Sequence, residues 1–161
     1  IENAHGLPGD WQARALNLGA DVPACVRSEM AVGRGVGEEL APLENDLAGT
    51  PVLLVNPRVA LSTGPVFKAW DGEDRGPLPD GSASDIAIKG RNDLEAPAIS
   101  ICPVIADVLA ELRATAPILA RMSGSGATCF ALYHSLEARD SAARAIARSH
   151  PGWWHMATAL R

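Results

Sequence analysis

The clearest periodic signal in the chain is at residues 103–114, where Val104, Ile105, Val108, Leu109 and Leu112 fall at helical spacing and Asp107, Glu111 and Arg113 lie between them. That pattern predicts a helix with one buried face, opened by Pro103 at a position where a missing N–H is tolerated. Residues 51–56, PVLLVN, are a short continuous apolar run closed by Asn56-Pro57. The run is too brief for three helical turns and predicts a buried strand. Residues 118–122 and 127–133 read as two further strands flanking Ser123-Gly124-Ser125-Gly126. Residues 137–149 form an Ala-rich helix and residues 153–158 a last strand. Between these, Ser62 or Thr63 caps a short helix carrying Val66, Phe67 and Trp70. Residues 71–90 form a polar loop, and Asn92-Asp93-Leu94-Glu95 reads as a capping box opening a helix to about Ser100.

Upstream, residues 10–18 have helical spacing with Asp10 as N-cap and Gly19 at the stop. Residues 24–34 alternate roughly as a strand, and 35–50 connect. From residue 51 the predicted order is β-α-α-α-β-β-α-β, with no internal repeat. It implies an α+β fold of the ferredoxin-like type, an antiparallel-rich sheet with helices packed on one face.

Composition narrows the class. With 47% apolar and 20% charged residues the chain is globular, and with four Trp, two Phe and one Tyr its core is mostly aliphatic. A net charge of −5 without any Lys/Arg cluster argues against a nucleic-acid partner. No apolar run reaches the roughly eighteen residues of a membrane span and no signal pattern opens the chain, so the expectation is a cytoplasmic protein without a membrane partner. Cys25, Cys102 and Cys129 are too far apart for a CxxC site or a disulfide framework. They read as small core residues, and no side chains are assigned to a metal.

Three places can hold chemistry. In Ser123-Gly124-Ser125-Gly126-Ala127 two glycines allow positive φ and leave room for N–H groups to converge on a phosphate. The same residues suit an ordinary hairpin turn, and the spacing, lysine and helix of a P-loop are missing. Asp21, between Gly19 and Pro23, is either a carboxylate placed to orient an attacking hydroxyl or a turn residue bonding its own backbone. Thr63 and Phe67, four residues apart, suit one helix face on which a flat heteroaromatic ring could stack; an ordinary N-cap threonine and a buried core phenylalanine explain the same residues.

Five segments in register carry a resemblance. They are Leu18-Gly19-Ala20-Asp21-Val22-Pro23, Gly35-Val36-Gly37-Glu38, Val55-Asn56-Pro57, Asn92-Asp93-Leu94-Glu95 and Arg121-Met122-Ser123-Gly124-Ser125-Gly126-Ala127. Together they resemble the C-terminal half of the kinases of the galactokinase, homoserine kinase, mevalonate kinase and phosphomevalonate kinase superfamily, most closely its 4-diphosphocytidyl-2-C-methyl-D-erythritol kinase family. The resemblance implies residues 1–50 as the tail of an N-terminal kinase domain and 51–161 as the C-terminal domain. It also implies Asp21 as the aspartate acting on the substrate hydroxyl, Phe67 and Thr63 in the cytidine-contacting segment, and Ser123, Gly124, Ser125 and Gly126 as the phosphate-proximal loop.

The implied reaction moves the γ-phosphoryl group of ATP, with Mg2+, to the 2-hydroxyl of a cytidine diphosphate-linked methylerythritol, a small-molecule substrate of non-mevalonate isoprenoid synthesis. The family's ATP phosphate loop and its lysine are not among these residues, so the polypeptide alone is expected to be inactive. Ser62 and Gly64 stand where prolines are common, and Arg58 where a glycine is usual. An exposed remnant around Asp21 and Val26 would favour homo-oligomers. The alternative is a noncatalytic ferredoxin-like module that binds a small ligand or its own copy.

Overall fold

The computed structural model describes residues 9–35 and 39–161, which divide into two compact units, Ile1–Asp46 and Leu47–Arg161. Val36, Gly37 and Glu38 of the second resemblance segment lie outside the described residues.

In the first unit, helix α1 (Trp11–Leu18) ends where the Gly19 N–H reaches the Ala15 carbonyl at 3.3 Å. The strand expected over 24–34 is corrected to a second helix, α2 (Val22–Arg27), followed by strand β1 (Ala31–Arg34). Pro23 does not force an extended chain here, because it lies in the first helical turn, where its absent N–H has no intrahelical acceptor to lose. Ser28, at φ 53°, stops α2 by donating its N–H to Ala24 O at 2.8 Å. The expected connection 35–50 also contains a strand, β2 (Glu39–Pro42), which pairs antiparallel with β1 from Ala31 opposite Pro42 to Arg34 opposite Glu39.

The second unit is built on one four-stranded sheet in the order β4-β5-β3-β6, with every pairing antiparallel. Strand β3 (Pro51–Asn56) is central, between β5 (Cys129–Leu132) and β6 (Trp154–Ala159), and β4 (Leu119–Met122) takes the edge beside β5. Because side chains alternate across a strand, Leu53, Val55, Met122, Cys129 and Ala131 share one face. All five are buried, and onto them pack α6 (Val104–Ala114) and α7 (Leu136–Ser149), together with Ala98 of α5 (Glu95–Ile101) and Val66 of α3 (Thr63–Ala69). The opposite face carries the half-buried Leu54 and Phe130 and the exposed Trp154 and Met156. Helices on one face of an antiparallel sheet make this the expected α+β fold.

Helix α6 buries Ile105, Val108, Leu109 and Leu112, as its spacing requires, and Ser135 caps α7 by accepting the Ala138 N–H at 3.1 Å. Buried Tyr133 places its hydroxyl 2.8 Å from Thr115 Oγ1, so its polar tip is satisfied inside the core. Two expectations fail. The polar stretch 71–90 contains helix α4 (Ala83–Lys89), started by Ser82, whose hydroxyl accepts the Asp85 N–H, and braced by a 2.7 Å Lys89–Asp85 pair. The residues 92–95 do not form a capping box: the N-cap of α5 is Leu94, and Glu95 turns toward β4. Cys102 and Cys129 are core residues, whereas Cys25 is exposed, against the expectation for all three. Burial pushes the Cys129 thiol up to about 12, which makes it unreactive.

Replacing fully buried Leu109 by Ala should lower stability by roughly 2–5 kcal/mol, read as a lower urea midpoint, while Val59→Ala at an exposed position should stay within about 0.5 kcal/mol. In the exposed segment after α3, hydrogen bonds from Arg75 hold the Asp71 carboxyl down at about 2, from an ordinary 3.8. A folded value below the unfolded one means this pairing stabilises above about pH 4 and is lost as pH falls through about 2. Carboxyl NMR should find the Asp71 midpoint near that lower value, and Arg75→Gln should raise it toward the ordinary carboxylate range, with the Glu73 N–H still holding it partly down.

Candidate functional site

The β4–β5 connection is a tight reversal. Ser123 N–H donates to Thr128 O at 2.9 Å, and Gly126 N–H closes a turn onto Ser123 O at 3.0 Å. Gly124 and Gly126 have φ of 54° and 90°. They differ in what surrounds them. A Cβ at Gly124 would meet nothing, whereas at Gly126 it would lie 2.9 Å from Met122 Sδ and 3.1 Å from Leu61 Cδ2. Among the described residues the Gly124 and Ser125 N–H groups have no protein acceptor. The turn therefore presents two consecutive unpaired donors at an exposed loop, an arrangement that suits an anionic oxygen.

Three side chains from other elements hold the reversal. Asn56, ending β3, donates from Nδ2 to Thr128 Oγ1 at 2.9 Å, while its Oδ1 accepts the Arg58 N–H at 2.7 Å. Asn92 donates from Nδ2 to Met122 O at 3.0 Å and to Gly124 O at 2.8 Å, and its Oδ1 accepts the Leu94 N–H at 3.0 Å. Glu95 accepts the Met122 N–H at 3.3 Å with one carboxylate oxygen and faces Arg113 at 3.4 Å with the other. None of these three was singled out as a site residue from sequence. Asn92 and Glu95 read as local helix capping, and nothing in their spacing points to partners 30 and 27 residues away.

The segment after β3 meets the same loop. Thr63, the first residue of α3, has its hydroxyl 2.9 Å from Ser125 Oγ, joining two sequence-selected residues 62 positions apart. Val66 turns into the core at 0% exposure while Phe67 is 55% exposed, so the core explanation of Phe67 does not hold. Its ring lies open on the helix that begins at the Thr63–Ser125 contact. The unit Leu47–Arg161 thus brings Thr63 to the 123–126 loop, with Phe67 one helical turn away on α3. Asp21 belongs to the unit Ile1–Asp46, where it precedes α2 as an exposed residue with no side-chain cap bond. The self-bonded turn reading of its carboxylate is therefore not what the structure contains.

Among the described residues no group of three or more His, Cys, Asp or Glu side chains could hold a metal ion, and no helix is long and apolar enough to cross a membrane. The described side chains thus form no protein cage for Mg2+, and no step is derived through that ion.

Residues 80–152, which hold most of the four-stranded unit and its glycine-serine reversal between β4 and β5, match the family of GHMP kinases, C terminal. The whole chain is 66% identical to the 4-diphosphocytidyl-2-C-methyl-D-erythritol kinase of Erythrobacter litoralis (strain HTCC2594) and 62% identical to that of Novosphingobium aromaticivorans. It covers 60% and 55% of those two proteins. A crystal structure of 4-(cytidine 5'-diphospho)-2C-methyl-D-erythritol kinase superposes with a TM-score of 0.75 at 30% identity, over 98% of this chain and 60% of that one. The chain therefore spans little more than half the length of the relatives it matches, and it is similar to a part of these kinases. The resemblance read from its motifs is borne out.

The two glycines should respond differently to a methyl group. Gly124→Ala carries only the handedness cost of positive φ, about 1–2 kcal/mol. Gly126→Ala adds the contacts with Met122 and Leu61, roughly another 1–3 kcal/mol. Thermal unfolding of the two variants side by side should show the lower midpoint for Gly126→Ala.

Proposed function

We propose that this chain carries the C-terminal half-site of an ATP-dependent kinase that phosphorylates the 2-hydroxyl of 4-diphosphocytidyl-2-C-methyl-D-erythritol, in synthesis of isoprenoid precursors. The observation that carries the reading is the Thr63–Ser125 hydrogen bond at 2.9 Å. It joins the segment assigned to cytidine with the loop assigned to phosphate, so a cytidine diphosphate would meet both within one unit.

In this reading the cytosine ring stacks on exposed Phe67 and Thr63 contacts its edge. The unpaired N–H groups of Gly124 and Ser125 face phosphate oxygens. Asp21 orients the attacking hydroxyl: the substrate oxygen bonds to the γ-phosphorus, its proton passes to the Asp21 carboxylate, and ADP leaves. Phosphoryl transfer depends mainly on positioning and charge stabilisation, which backbone donors can supply. The relatives' names support the substrate, and buried free Cys102 and Cys129 agree with a reducing cytoplasm. The 161 residues are proposed to bind the cytidine ligand.

Calorimetric titration with CDP and with the cytidine diphospho-substrate tests the reading. Both should bind saturably, and Phe67→Ala should weaken them by about 5- to 150-fold, the range of one base–aromatic stack. Unchanged affinity in that variant would remove Phe67 from the site. A folded chain that binds neither ligand would overturn the half-site and favour the noncatalytic module.

A further inference from the structure

The geometry points to Asn92 as a positioning residue that aims the loop's Ser125 N–H at ligand phosphate; this rests on the phosphate reading of the 123–126 loop. The argument begins with the planarity of the peptide group. In a trans peptide the carbonyl of one residue and the N–H of the next point in opposite directions, so fixing one fixes the other. Asn92 Nδ2 holds Gly124 O at 2.8 Å, which turns the N–H of Ser125 to the side away from Asn92. Ser125 is the residue whose hydroxyl meets Thr63, so its amide plane is held at both ends, by Asn92 through the preceding carbonyl and by Thr63 through its side chain.

The second N–H of the same amide holds Met122 O at 3.0 Å, and the planar peptide that follows directs the Ser123 N–H onto Thr128 O at 2.9 Å. One side chain therefore sets the orientation of two peptide planes in the loop. Asn92 is itself fixed by the Leu94 N–H on its Oδ1 and stands at the entry of α5, whose first residue, Glu95, holds the Met122 N–H. Asparagine is suited to this because it supplies two donors and an acceptor from one planar group. Aspartate has nearly the same shape and keeps the acceptor, but it has no donor and sets a charge against two carbonyl oxygens.

The test compares the wild-type 161-residue chain with Asn92→Asp and Asn92→Ala in two measurements. The first is hydrogen exchange at the Ser123 and Gly126 amides, which are hydrogen-bonded inside the reversal. The second is the affinity for CDP relative to cytidine. In chains whose remaining amide spectrum is native, both variants should exchange at these two amides at least about tenfold faster. They should lose about tenfold in CDP affinity while keeping cytidine affinity. A merely structural role would weaken both ligands together. Wild-type exchange in both folded variants overturns the inference whatever the ligand data show. A CDP-to-cytidine ratio unchanged from a wild-type chain that does prefer CDP also overturns it. A wild-type chain with no preference for CDP instead overturns the phosphate reading of the loop, an outcome separable from the first because exchange is read without ligand.

Discussion

The antiparallel register of β3 against β5 is the constraint on which the site depends. Val55 stands opposite Cys129, so the residue leaving β3, Asn56, lies beside the residue entering β5, Thr128, and their side chains bond at 2.9 Å. The chain after Asn56 and the chain before Thr128 are thereby started from one point, and Thr63 and Ser125 meet a few residues further on. The register is held by burial. A slip of β3 by one residue would turn Leu53 and Val55 away from α6 and α7 and bring Val52 and Leu54 inward. The hydrophobic core and the polar contacts at the sheet's end are one decision of the fold.

The reversal between β4 and β5 shows how a loop with little apolar contact of its own is made definite. Its two glycines remove side chains, which lets the backbone turn but also leaves it many conformations to lose on folding. Asn56 at the end of β3 and Asn92 and Glu95 at the entry of α5 supply the compensating order, each through a hydrogen bond to backbone or to Thr128. Gly126 is packed against Met122, Leu61 and Ile105, so the loop's root is continuous with the core, while Gly124 at its tip is open. Order therefore falls from root to tip, and the tip is where the Asn92 contact acts.

Much of this was legible in the sequence. The stripe on α6, the run in β3 and the strands about the 123–126 loop follow from periodicity, because burial on one face dictates where apolar residues recur. Local chemistry misled where a residue type serves two uses. Pro23 reads as a break yet opens α2, and the polar stretch holding α4 has few apolar residues to show a period. Asn92 and Glu95 have the spacing of a capping box, and only the tertiary structure reveals that both reach across to β4 and its loop. For the site, Thr63, Phe67 and the loop were each readable as residue types, but the Thr63–Ser125 contact was not, because it depends on the β3–β5 register. Asp21 was equally readable, and its proposed role rests on the motif around it.

The chemistry of the proposed site also reconciles the chain's acidity with an anionic ligand. A net charge of −5 disfavours any broad electrostatic attraction to a diphosphate. Recognition by unpaired backbone N–H groups and by an aromatic face needs no such attraction, since both act at contact distance and within fixed geometry. It demands instead that the donors be aimed before the ligand arrives, because flexible dipoles would lose in ordering what they gain in contact. A loop tip held by the neutral amide of Asn92 meets that demand, since an amide can hold the Gly124 carbonyl in place without adding the charge that a lysine or aspartate would bring to the same spot, and the Glu95 carboxylate at the loop's root is faced by Arg113.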